Sequence, residues 1–297
     1  MSATRALLVR NVKLFFKDRG MFFTSLITPA ILLVLYVSFL GNVYEDSFLS
    51  ALPEGLVISQ KLIDALVGGQ LISSILAVSC VTVAFCSNFL IVQDRANGTV
   101  RDLSISPAKS SSLAVSYYLA SLFSTLIICL AATAICLFYV SLIGWYLTLS
   151  DVLYLLLDVV LLTLFGTALS SVINGFLSTQ GQISAVGTVV SAGYGFLCGA
   201  YMPIASFDEG LQKVLSFLPG THGTVLMRRH CMESVLAKMG EEGLPDAAVT
   251  ALKDAMDCNL YLFDELVSAP VMYAVLGITT LLLILAYVLI HKLRAKT

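Results

Sequence analysis

Charge is scarce in this chain. Only 12% of its 297 residues are charged, 58% are apolar and the mean hydropathy is +0.91. Ordinary soluble domains carry about 25% charged residues. A compact fold of this size always exposes much of its surface, so it could not hide so many apolar side chains from water. A soluble enzyme, a nucleic-acid binder and a disordered chain are therefore disfavoured, and an integral membrane protein remains. Phosphate-binding machinery is missing as well: there is no G-x-x-x-x-G-K-[ST] loop and no Gly-Lys dipeptide. Neither H-E-x-x-H nor C-x-x-C occurs, and His222, His230 and His291 are too scattered to suggest a metal site. With no catalytic constellation, the chain is not expected to be an enzyme. Any work it performs must draw on another chain or on an ion gradient.

Long apolar runs fill the space that charge leaves. A membrane-crossing helix needs about 20 apolar residues. Six runs qualify, at 21–41, 69–92, 113–143, 152–173, 183–203 and 269–290. They are continuous and do not alternate, which excludes a barrel. The expectation is a single all-α membrane domain over residues 1–297 with six transmembrane helices.

The small number of charges is unevenly placed. Residues 1–20, the segment between the second and third runs, and the C-terminus together hold eleven Lys and Arg against Asp18, Asp94 and Asp102. Segments 42–67 and 204–268 hold six basic and fourteen acidic residues. Basic residues mark cytoplasmic loops, so both termini are expected in the cytoplasm of a multi-pass cell-membrane protein. Within residues 1–20, Leu8, Val12, Phe15 and Phe16 recur at helical spacing opposite Arg10, Lys13 and Lys17. Such a helix suits the headgroup surface of the lipid.

Five cysteines fall within apolar runs, where a thiol behaves as a small hydrophobe. Cys231 and Cys258 share the outer segment, where the redox environment permits a disulfide between them. Asp158 is the one ionisable residue well inside a run. It is either a functional intramembrane acid or a hydrogen-bonded carboxyl near the outer headgroups.

The segment Gln93-Asp94-Arg95-Ala96-Asn97-Gly98-Thr99-Val100-Arg101-Asp102-Leu103-Ser104-Ile105-Ser106-Pro107 is the most specific stretch. Gly98 can break a descending helix and Thr99 can cap a new one. With the order of the surrounding elements, the segment resembles the cytoplasmic loop of type-2 ATP-binding-cassette (ABC) exporter permeases. Asp94, Gly98, Thr99, Leu103 and Pro107 match the acidic residue, Gly-Thr pair, short helix and Pro of that family, although its acidic position is often Glu. The runs Gly199-Ala200-Tyr201-Met202-Pro203-Ile204 and Leu218-Pro219-Gly220-Thr221-His222 are similar to its outer region.

The resemblance implies that residues 94–110, with Arg101 and Asp102 beside the matched positions, dock onto cytoplasmic ABC ATPase subunits. Those subunits would bind ATP and Mg, and this chain would hold no cofactor of its own. It also implies a second permease copy or a related permease, and a pathway lined by the second and fifth spans. Phe85, Asn88, Phe89, Tyr194 and Phe196 are the pathway candidates, suited to amphipathic cargo such as a drug, peptide or lipid-linked molecule. Gly187, Ser191, Gly195 and Gly199 form a small-residue stripe at four-residue spacing, fitted to a two-subunit interface, a substrate slot or close packing within one chain. Residues 204–268 are expected to form short re-entrant or interfacial outer helices. A proton-driven carrier using Asp158, and a non-transporting scaffold or sensor, are the alternatives.

Overall fold

The computed structural model describes residues 3–51, 58–105, 110–263 and 265–294. Helix α1 (Ala3–Lys17) ends at Asp18, whose carboxylate caps α2 (Arg19–Leu35) by accepting from Met21 N–H at 3.1 Å. A π-helical turn (Tyr36–Leu40) joins α2 to α3 (Gly41–Ala51) without a break in the axis. Then come α4 (Gln60–Ala96), α5 (Thr99–Ile105), α6 (Ser110–Ile143), α7 (Leu149–Gly175) and α8 (Gln180–Leu197). Segment 204–268 holds α9 (Glu209–Ser216), α10 (Pro219–Glu241), α11 (Asp246–Ala255) and a hairpin, β1 (Tyr261–Leu262) with β2 (Glu265–Leu266). Helix α12 (Ala269–Arg294) completes the fold.

The architecture is a bundle around α4. This helix has 37 residues and is buried along nearly its whole length, with α2, α6, α7, α8 and α10 packed on it. Small residues permit that crowding. A Cβ at Gly166 of α7 would lie 2.8 Å from the carbonyl oxygen of Cys80, and one at Gly69 would lie 2.8 Å from Met232 Cγ of α10. Polar side chains on α4 find partners on its neighbours. Ser87 bonds Ser121 and Thr125 of α6 at 2.7 and 3.0 Å, and Asn88 donates to Ser170 and Ser171 of α7 at 3.1 and 2.6 Å.

Among the described residues, five helical stretches are long and apolar enough to cross a membrane: 19–46, 60–96, 111–143, 149–175 and 269–291. They match five of the six expected runs. Helix α8 matches the sixth only in part. It stops at Leu197 because Gly199 turns the chain with φ +72°, and its 18 residues include Gln180, Gln182 and several hydroxyls that dilute its apolar character. Segment 204–268 also departs from expectation. Helices α9 and α11 are short, but α10 runs 23 residues and buries most of its surface against α4, α7 and α12.

Replacing Gly166 by Ala forces α7 off α4, and the cost is expected to be about 1–3 kcal/mol. Gly277→Ala on α12 meets nothing within 4 Å and is expected to be neutral or to gain up to about 1 kcal/mol of helix propensity. Thermal unfolding of both purified variants in detergent tests the contrast.

Candidate functional site

At its C-terminal end, α4 stops because Gly98 adopts φ +80°, a conformation that costs glycine no steric clash. The Gly98 N–H donates to Arg95 O at 3.1 Å, and its carbonyl accepts from Arg101 and Asp102 N–H at 2.9 and 3.2 Å. Gly98 therefore closes one helix and opens the next, and Thr99, expected as the cap, is instead the first residue of α5. Helix α5 exposes Arg101, Asp102 and Ile105, the last 79% accessible, while Leu103 is half-buried. Pro107 lies outside the described residues.

Asp94 points the other way. Its carboxylate is buried, accepting from Arg10 Nη1 of α1 at 2.8 Å and from Tyr117 Oη of α6 at 2.5 Å. Partial burial pulls the Arg10 guanidinium down, but the bond and charge of Asp94 more than offset this, and its pKa rises above the usual value. The next residue, Arg95, donates to the carbonyls of Asn174 at 2.9 Å and Leu177 at 3.0 Å. A cation there complements the C-terminal dipole of α7. Adjacent residues of α4 thus bind α1, α6 and α7 just above α5. Asp94 belongs to this brace and not to the surface that a cytoplasmic partner could touch. Arg10 escaped the sequence reading because it was assigned to the lipid-facing polar side; buried Asn11 beside it was the available signal.

Between α2 and α8, floored by α4, lies a groove of about 1080 Å³. Ile27, Ile31 and Leu35 line one wall, Ile183, Gly187 and Ser191 the other, and Phe89 the floor. Thr24, Thr28, Ser184 and Thr188 add hydroxyls, and the charge of Asp18 sits at one end. Of the five pathway candidates, Phe89 and Phe196 line this groove. Phe85 and Tyr194 are packed inside the bundle, and Asn88 is held by Ser170 and Ser171. The small-residue stripe divides likewise. Gly187 and Ser191 border the groove, whereas Gly195 makes room for the Tyr201 ring and Gly199 forms the turn after α8.

Two clasps organise the opposite end of the bundle. Arg228 of α10 is completely buried; its Nη1 donates to Asp257 Oδ2 at 2.7 Å and its Nη2 to the Gly199 carbonyl. Asp257 also accepts from Ile204 N–H at 2.7 Å and Ala205 N–H at 3.3 Å. Burial raises the Asp257 carboxyl above its ordinary value despite the adjacent guanidinium. The second clasp gives Asp158 the partners that a search for Lys or Arg missed: His230 Nδ1 of α10 at 2.6 Å and Tyr273 Oη of α12 at 2.7 Å. His230 also stacks on Tyr154, with ring centroids 5.0 Å apart. The Arg228-Arg229-His230 triplet within an apolar stretch was the signal for both clasps.

Cys231 and Cys258 are free, buried thiols, so the bridge that their shared segment permitted is not formed. Cys231 faces α4 through the close contact at Gly69, and burial pushes the Cys258 thiol up to about 12.

A largely helical bundle with a buried central helix, a braced elbow and a lateral groove, carrying several long apolar helices, is that of a multi-pass membrane protein. Comparison with protein families places it further: the ABC-2 type transporter family model matches residues 2–230. The chain belongs to the ABC-2 type transporter family, whose permeases normally work with ABC ATPase partners. No curated protein matches the chain.

Arg228→Met leaves Asp257 buried without its charge partner, and breaking such a pair costs about 3–5 kcal/mol. Limited proteolysis of the variant is expected to cut within 199–210 or 255–260 far faster than in the parent protein. Parental resistance would contradict the assigned importance of the clasp.

Proposed function

We propose that this chain is the permease half of an ATP-driven exporter, working with two cytoplasmic ATPase subunits and a second permease, either a copy of itself or a relative. The observation that carries this reading is the continuity of α5 with α4. Force applied to Arg101, Asp102, Leu103 and Ile105 enters a helix that runs through the core, and the Arg10–Asp94–Tyr117 and Arg95 contacts keep its lower end from bending independently. ATP-driven closure of the partners would shift α4 with α1, α6 and α7, and so change access to the groove by rigid-body movement. Asp94 contributes by stiffening the elbow.

In this reading α8 is the sixth span. Its length of about 27 Å nearly matches a hydrocarbon core of about 30 Å. Both termini then lie in the cytoplasm of a cell-membrane protein. The groove faces the second permease or the cargo, and its apolar walls and row of hydroxyls suit an amphipathic molecule. The hydrogen bonds to Asp158 favour a structural clasp over a proton carrier.

Asp102→Ala combined with Leu103→Ala is expected to weaken ATPase docking about tenfold, corresponding to about 1.4 kcal/mol, while the purified permease keeps its thermal stability. Pull-down of the ATPase and transport by the reconstituted complex measure the two effects. Unchanged docking with full ATP-coupled transport would remove α5 from the coupling role. In the same assay Asp158→Asn should remain strictly ATP-dependent. Proton-driven transport that disappears in this variant would overturn the ATP-driven reading.

Orientation is checked separately with single cysteines placed at Asn97 and Asp246. In intact cells an impermeant maleimide should label only position 246.

A further inference from the structure

The hairpin before α12 carries apolar side chains on both faces, with the exposed Glu265 paired opposite Leu262. Its inner face is accounted for: Leu260, Leu262 and Val267 pack with Val225 and Leu226 of α10 and Met272 of α12 in a small core of their own. The other face carries Tyr261, Phe263 and Leu266, all exposed, with Phe263 73% accessible. The Phe263 ring meets Phe217 edge-on, centroids 5.7 Å apart, and Leu211 and Val214 of α9 extend the apolar surface.

Phe263 is also at an improbable position for its residue type. A two-residue connection between antiparallel strands demands left-handed backbone and favours Asn, Asp or Gly. Phe263 occupies it at φ +52°, which is unusual for a bulky side chain. Turn chemistry does not account for a phenylalanine here, so its exposed ring requires another reason.

Depth along the neighbouring helices supplies one. Leu162 lies thirteen residues from the end of α7 at Gly175, about 20 Å at helical rise. Its side chain packs so closely on Gly223 that a Cβ there would meet it at 2.7 Å. The first turn of α10, and Phe217 just before it, therefore lie within a hydrocarbon layer of about 30 Å. The hairpin is tied to this region by the contact of the Phe263 ring with Phe217, and Leu266 precedes the first residue of α12 by only three positions, at most about 11 Å of chain.

We infer that Phe263, Phe217 and Leu266 form a wedge inserted among the lipid acyl chains of the leaflet around the N-terminal end of α12, with α9 lying alongside. The inference requires only that α7 and α12 cross a bilayer, so it stands or falls separately from cargo, energy source and partner ATPase.

The test uses tryptophan as a depth probe in the full chain. The single native tryptophan is removed as Trp145→Phe, and Phe263→Trp is introduced. Leu266→Trp serves as a second probe should the turn reject the larger ring, and Glu242→Trp at an exposed position serves as the aqueous control. Each protein is reconstituted into vesicles of phosphatidylcholine with plain or acyl-brominated chains. At 263 or 266, emission is expected to be blue-shifted, strongly quenched by brominated lipid and protected from iodide. At 242 it should be red-shifted, iodide-sensitive and indifferent to bromine. Iodide-sensitive emission at 263 and 266, unaffected by bromine, would show a water-facing hairpin and overturn the wedge. Emission indifferent to both quenchers would show a protein-covered surface, and overturns it equally.

Discussion

Close backbone approach to one central helix is the constraint on which the other contacts depend. Helices in lipid gain little from the hydrophobic effect when they meet, because the tails they leave are as apolar as the side chains they find. Association then relies on tight fit and on polar groups that need partners. Helix α4 supplies both. Gly69 and Gly166 let α10 and α7 reach it at near-contact distance, and Ser87 and Asn88 supply hydrogen bonds to α6 and α7. A larger side chain at either glycine would separate the surfaces that those bonds join.

The two ends of this core are finished differently. At the Gly98 end, neighbouring Asp94 and Arg95 gather three helices at the point where the chain turns into α5. At the other end, α10 packs into the bundle and is locked by Arg228 and His230, each bonded to an aspartate. Both ends use buried charges, which are costly to unpair, so each helix set is expected to move as a unit. The groove between α2 and α8 lacks such ties. No polar clasp spans its walls among the described residues, which makes it the natural place for the bundle to change shape.

Much of this was legible in the sequence. Hydropathy located five of the spans, since a long helix facing lipid is an uninterrupted apolar run, and Gly98 announced the elbow. Helix α10 was underestimated because protein surrounds it. A helix buried in protein can carry Arg228, His222 and Thr224 where a lipid-facing helix would not, and its polar residues then read as loop or surface. The end of α8 was placed too far on because Cys198 and Ala200 are as apolar as a helix interior, while the turn at Gly199 is a backbone property. Asp94 was recognised as special, but its partner Arg10 is 84 positions away, a pairing that spacing rules do not reach. The groove residues divided in the same manner: helical periodicity gave the face of α8 that holds Gly187 and Ser191, but not which aromatic rings the neighbours would enclose.

The π-helical turn in the first span sets a rule of phase. Tyr36, Tyr44 and Phe48 stack in sequence along the bundle, with ring centroids 6.1 and 6.2 Å apart. Eight residues separate the first two, and a regular α-helix advancing about 100° per residue would overshoot a shared face by about 80°. The wider turn at Tyr36–Leu40 absorbs part of that excess. Below it, Ile27, Ile31 and Leu35 face the groove; above it, Tyr44 and Phe48 face the core. The azimuths of the two halves of this span are therefore geared by a single surplus residue, and gain or loss of one residue between them would turn the upper half relative to the lower without shortening the helix enough to unseat it from the membrane.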